Sequence, residues 1–209
     1  MRLAFFGGTF DPIHRGHIAI ARAAVQAYAL DEVLFAPVGL QPLKSTPPDA
    51  AYPDRLAMVR IACSGEPKLA VSELDAPRAD GRPNYTVNTL QQLKDQYPGA
   101  ELFVIAGADS FLTLRSWRAP ETLLELAQWI VVSRPGFALA DRLPELGLSE
   151  IQRARVHLLE TMHEEVSASE LRRRLRAGED ASDWVQPPVL EYIHAHGLYG
   201  APRDRSRLQ

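Results

Sequence analysis

GGTFDPIHRGH, residues 7 to 17, directly follows the apolar run Leu3 to Phe6, and this junction decides how the rest of the chain is read. Paired glycines after a short strand let the backbone turn sharply and approach a ligand closely. Gly7, Gly8, Thr9 and Phe10 lead through Asp11 and Pro12 into His14 and His17. The His-x-x-His spacing sets both imidazoles near the start of the first helix, where free N–H groups and the helix dipole favour an anion. The junction reads as a phosphate site with two titratable donors. It is neither of the commoner phosphate loops, because the chain contains no GxGxxG and no GxxxxGK(S/T). A histidine pair three residues apart can also ligate zinc. With no Cys-x-x-Cys, no HExxH and a single cysteine, Cys63, no metal site is expected.

Working outward, strand-like apolar runs recur at Leu3 to Phe6, Glu32 to Ala36, Leu69 to Ser72, Glu101 to Ala106, Trp129 to Ser133 and Val156 to Leu158. Helical periodicity falls between and after them, at His17 to Ala29, Asp54 to Cys63, Thr86 to Tyr97, Ala119 to Leu126, Ser169 to Ala177 and Pro188 to His196. Alternation of this kind implies right-handed crossovers, and therefore an α/β, Rossmann-like, doubly wound sheet, mostly parallel, with helices on both faces and a C-terminal helical segment. Ligands of such sheets bind beyond the carboxyl ends of strands, where Gly7 to His17, Gly107 to Asp109 and Ser133 to Gly136 all fall.

With 209 residues, 46% apolar and 23% charged, the chain can bury one substantial core, and a single domain over residues 1 to 200 is expected. Residues 201 to 209, APRDRSRLQ, have no apolar anchor before Leu208 and read as a frayed, disordered tail. The formal charge of −3 argues against a general nucleic-acid binder. One cysteine excludes a disulfide framework and fits a reducing cytoplasm. No signal peptide is expected, since Met1 and Arg2 run directly into the first strand. The most apolar stretch, Ile18 to Pro37, is interrupted by Arg22, Gln26, Asp31 and Glu32, so it reads as helix then strand rather than a membrane span. Residue types do not set the oligomeric state.

Two long loops have the character of lids or binding loops, namely the proline-rich Pro37 to Pro53, with a lone Lys44, and the polar Asp75 to Asn84. A second anion site is offered by VSASELRRRLRAG, residues 166 to 178. Ser167 and Glu170 fit a capping box, which alone would explain both. The same helix start adds Ser169 and, one turn in, Arg172. Arg172, Arg173, Arg174 and Arg176 point round the helix, so most of this run reads as solvated surface and Arg172 is the candidate.

The eleven residues of the opening junction resemble the (T/H)xGH signature of the nucleotidyltransferase superfamily related to class I aminoacyl-tRNA synthetases. Their wording is similar to that of the bacterial nicotinate-nucleotide adenylyltransferase family. SASELR at 167 to 172 is similar to that family's SSTxIR, with Ala168 in place of the common serine. NYTVNTL at 84 to 90, GADSFLTLRSW at 107 to 117, SRPG at 133 to 136 and the terminal QPPVLEYIHAHGLY extend the resemblance over nearly the whole chain. QPLK at 41 to 44 departs from the frequent PPHK.

The resemblance implies transfer of an adenylyl group from ATP to nicotinate mononucleotide, giving deamido-NAD and pyrophosphate without a protein nucleophile. His14 and His17 would grip the α- and β-phosphates as cationic donors, with Gly7, Gly8, Thr9 and Phe10 beside them. Ser167, Ser169 and Arg172 would hold the β- and γ-phosphates. Mg²⁺ would arrive on ATP, so no dedicated carboxylate cluster is expected. Lys44 would approach the incoming phosphate or the triphosphate. Tyr85 and Thr86 would contact the nicotinate group, Trp117 would stack on its ring, and Gly107 and Asp109 would hold a ribose, with Arg134 near phosphate. Plainer roles remain open at this point, with Thr86 as an N-cap, Trp117 as a core aromatic and Arg134 as an exposed loop charge. Competing functions are the same chemistry on nicotinamide mononucleotide or phosphopantetheine, and a nucleotide-binding module without turnover.

Overall fold

The computed structural model describes residues 1–42, 46–133, 139–160 and 167–201. Lys44, Arg134 and tail residues 202–209 lie outside them, as do most of SRPG and the approach to Ser167. Six strands form one sheet: β1 (Arg2–Gly8), β2 (Glu32–Pro37), β3 (Leu69–Val71), β4 (Glu101–Gly107), β5 (Gln128–Ser133) and β6 (Val156–Glu160). Their order is β3-β2-β1-β4-β5-β6 and every described pairing is parallel, so the expected doubly wound sheet is present.

Period-two alternation along the strands sorts the core onto two faces. Ala4, Phe6, Phe103 and Ile105 point to one face, where they pack with residues of α1 (Arg15–Ala27), α2 (Tyr52–Cys63), α8 (Ala168–Ala177) and α9 (Pro187–His196). Leu3, Phe5, Leu102 and Val104 point to the other, against α3 (Thr86–Gln96) and α5 (Pro120–Leu126). Because both faces are covered, the strands are nearly continuous apolar runs, which made them visible in the sequence. The one-turn helices α4 (Ala108–Phe111), α6 (Leu139–Arg142) and α7 (Glu150–Arg153) left no periodic trace, four residues being too few to show one.

Winding reverses between β1 and β4, since β1 pairs with β2 on one edge and β4 on the other. The crevice of a doubly wound sheet opens at such a switch point, beyond Gly8 and Gly107 here. Helix α8 reaches this end of the sheet despite its polarity. Leu171 and Leu175, 0% and 2% exposed, lie one turn apart on one stripe and pin it to the core. Truncating either to alanine should cost about 2–5 kcal/mol. That anchoring also decides where Arg172, the next residue round the helix, can point.

Candidate active site

The junction after β1 is built around aromatic rings. A β-carbon on Gly7 would lie 2.7 Å from the Phe5 ring, and one on Gly8 would lie 2.9 Å from that of Phe10, so neither position admits a side chain without displacing a packed aromatic. Phe10 takes a left-handed backbone, φ 47°, which turns its ring inward. It packs edge-on against Phe6 at 5.6 Å and His17 at 5.0 Å between centroids, and is 3% exposed. The Phe10 ring is therefore a packing element and is not exposed to a ligand.

Two buried side chains that the sequence reading did not single out hold the loop in place. The Arg55 guanidinium, 1% exposed, donates to the carbonyls of Thr9 at 2.6 Å, Val38 at 2.9 Å and Ala50 at 3.2 Å. The Asp11 carboxylate accepts from the N–H groups of Asp49 and Ala50, at 2.7 and 3.1 Å, and from the Tyr199 hydroxyl at 2.8 Å. Asp11 stood within the quoted motif, but its partners lie 38 to 188 residues away.

His14 caps α1 and His17 is its third residue, so the two rings stack at 3.8 Å between centroids. The His14 N–H donates to His17 Nδ1 at 3.2 Å. Burial holds the His14 pKa down to about 4, and burial with the neighbouring His14 keeps that of His17 well below the ordinary value. The expected cationic donors are thus neutral imidazoles before ligand binds. Of the helix-start N–H groups expected to be free, that of Arg15 is taken by the Trp184 carbonyl at 2.7 Å.

Arg172 reaches the same loop from α8. Its Nη1 donates to the Asp11 carbonyl at 2.8 Å, its Nε lies 3.2 Å from Asp49 Oδ2, and its Nη2 lies 3.5 Å from Ser169 Oγ. Arg173 pairs instead with Glu170 and Glu179, and Arg174 lies over the Trp184 ring at 4.2 Å. Arg176 joins Arg172 on Asp49. Ser167 caps the helix by accepting from the Glu170 N–H at 3.2 Å, but the Glu170 carboxylate bonds Arg173 and Arg174, so only half of the expected capping box forms. Two guanidinium groups outcompete a single backbone N–H for that carboxylate.

From this loop a cleft of about 350 Å³ runs along the switch point. Gly7, Gly8, Thr9, Tyr85, Thr86, Gly107 and Trp117 all line it, which unites candidates spread over 111 residues of sequence. Tyr85 caps α3 and Thr86 is its first residue, so Thr86 is not the N-cap. A β-carbon on Gly107 would meet nothing within 4 Å, so a side chain there would enter the cleft. Trp117 is half-buried: its Nε1 donates to Thr113 Oγ1 at 3.1 Å and its ring meets Trp129 edge-on at 5.8 Å, while it also lines the cleft. Asp109 is exposed at the start of α4 and is not among the lining residues, so the cleft wall gives no support to its ribose contact. The sequence reading missed Gln41, Asp75, Asn84, Ser110 and Arg118, which do line it. Gln41 stood within the quoted QPLK, Asp75 and Asn84 bounded the polar loop, and Ser110 stood within GADSFLTLRSW, though none was named as a candidate; Arg118, one residue past that stretch, carried no signal. Asp75, 5% exposed, bonds the Thr89 hydroxyl, and burial raises its pKa to about 6.

A family profile described as cytidylyltransferase-like matches residues 5–174. The chain belongs to that family. The loop between β1 and α1 and the start of α8 fall inside the matched span, and α9 and the final turn lie beyond it. The probable nicotinate-nucleotide adenylyltransferase of Gloeobacter violaceus is 38% identical over 202 residues, covering 96% of this chain and 97% of that protein. Its counterpart in Roseiflexus sp. is 42% identical over 203 residues, covering 94% and 97%. Plasmodium falciparum nicotinic acid mononucleotide adenylyltransferase complexed with NaAD superposes with a TM-score of 0.74 at 19% identity, over 96% of this chain and 98% of that one, a likeness of fold.

Proposed function

We propose that this chain joins ATP to nicotinate mononucleotide, giving nicotinate adenine dinucleotide (deamido-NAD) and pyrophosphate in NAD biosynthesis. The observation that carries the reading is the continuity of the cleft, from an aromatic end at Tyr85 and Trp117 to Gly7, Gly8 and Thr9, whose loop runs on to His14 and His17 and meets Arg172 at Asp11, just beyond the cleft lining. An acceptor phosphate oxygen attacks the α-phosphorus, the bond from that phosphorus to the bridging oxygen breaks, and pyrophosphate leaves with the electron pair. No protein nucleophile takes part. The sole cysteine, Cys63, is buried on α2, away from the cleft lining.

His14 and His17 work as N–H donors to the α- and β-phosphates, where charge develops, and Arg172 exchanges Asp49 for the β- and γ-phosphates. Ser167 and Ser169 flank that exchange, and a role for Lys44 and Arg134 near phosphate is proposed on the family resemblance alone. The described residues offer no group of three ligating side chains for an ion, so Mg²⁺ is assigned to the triphosphate and its own waters, and no step runs through a protein-bound metal. One domain spanning residues 1 to 200, working in the cytoplasm, is the setting proposed. No helix among the described residues is long and apolar enough to cross a membrane.

Pyrophosphate release from ATP and Mg²⁺, followed with nicotinate mononucleotide, nicotinamide mononucleotide and phosphopantetheine in turn, tests this. Release with the first exceeds that with the second by at least about tenfold in kcat/KM, and phosphopantetheine gives none. Equal use of acid and amide would leave only a broader adenylyltransferase.

A further inference from the structure

Arg118 is the one cationic side chain in the described lining of the cleft. It makes no ion pair or hydrogen bond among the described residues, whereas most of the other described arginines are paired. Its guanidinium instead lies 4.7 Å above the centroid of Tyr85, beside Trp117, at the aromatic end of the cleft. The other charged lining residue is Asp75, whose carboxylate lies next to Gly7 and is engaged by Thr89. Charge in the cleft is thus divided, with an anion at the β1 floor and an uncommitted cation at the ring end.

We infer that Arg118 is the side chain that selects an acceptor ring bearing a carboxylate over one bearing an amide. This rests on the proposed adenylyl transfer to a pyridine mononucleotide. A guanidinium has only donors, in a planar fork that matches the two acceptor oxygens of a carboxylate; an amide turns at least one N–H₂ donor against it. Its place over the Tyr85 ring restricts the guanidinium before ligand arrives, which lowers the entropy lost on binding. Arg118 is largely exposed, so water screens it and the discrimination belongs at the low end for a charge-assisted bond.

The test is steady-state kinetics of Arg118→Ala, Arg118→Gln and Arg118→Lys with both mononucleotides, alongside calorimetric binding of each mononucleotide to the same proteins. Arg118→Ala and Arg118→Gln should lower kcat/KM for the acid about tenfold, through KM, while that for the amide stays within about twofold. Arg118→Lys should recover part of the loss, keeping charge without the fork. An unchanged acid-to-amide ratio in an active enzyme, or equal losses on both acceptors, overturns the assignment of Arg118 alone. Wild-type protein that neither binds nor adenylylates either mononucleotide overturns both this inference and the function on which it rests.

Discussion

The backbone N–H of His14 donates to Nδ1 of His17 at 3.2 Å. An Nδ1 that accepts carries no proton, so the neutral ring keeps its hydrogen on Nε2, which remains available to a phosphate oxygen. Burial, which keeps both pKa values low, makes this neutral form the resting one. His17 is therefore an oriented, uncharged N–H donor at rest, with the neutral His14 ring stacked against it.

On this basis His17→Ala should lose turnover far more than ATP affinity, by roughly 10² to 10³ in kcat, or about 3 kcal/mol. His14→Ala should behave alike. Near-normal kcat in folded, purified variants would remove these histidines from the mechanism.

The same pKa values carry a stability consequence. The folded protein resists protonating His14 until about pH 4, whereas the unfolded chain protonates it near 6.5. The contribution is therefore complete above pH 6.5 and is lost as pH falls towards 4, by at most about 1.4 kcal/mol per unit. In thermal denaturation, His14→Ala should lower Tm less at pH 4.5 than at pH 7.5 relative to wild type. A Tm difference constant over this range would mean that His14 titrates normally in the fold.

Asp75 has the opposite sign. Its carboxyl ionises near pH 6 in the fold rather than at 3.8, so its burial is without penalty at low pH and costs most above pH 6. Asp75→Asn keeps an acceptor for the Thr89 hydroxyl and removes that cost. Its Tm should match or exceed wild type at pH 7.5, and the advantage should disappear near pH 4. A variant less stable at pH 7.5 than at pH 4, relative to wild type, would show the ionised carboxylate to be stabilising.

Arg172 and Arg174 separate phosphate binding from surface charge. Arg172 points at the Asp11–Asp49 loop, and Arg174 at Glu170 and Trp184. Arg172→Ala should lower kcat/KM for ATP at least about tenfold, and Arg174→Ala should change it by less than about twofold. Equal losses in the two would mean that the run acts as diffuse charge.

Trp117→Ala should weaken the acid and amide acceptors alike, since a stacking face does not read a carboxylate. The ring also packs against Trp129, so a fall in Tm is expected with it. A variant that changes the acid-to-amide ratio would place discrimination on Trp117 rather than on Arg118.

What the sequence alone determined was whatever depends on periodicity and short spacing. The strands were legible because a sheet covered on both faces makes each strand an apolar run. The nearness of the two imidazoles at the start of α1 was legible because residues three apart share a helix face. Strand order, and with it the switch point, followed only when β1 paired with both β2 and β4. Tertiary structure decided everything that depends on partners far along the chain or on exclusion of water. Arg172 meets the Asp11 carbonyl across 161 residues, and no local pattern announces that contact. Phe10 turned inward on a left-handed backbone that its residue type does not request. Asp75 and Arg118 entered the cleft from two different loops without a motif between them. The neutrality of the histidines was equally unreadable: a pKa reports how much water the fold removes from a group, and that is settled only when the surrounding elements have packed.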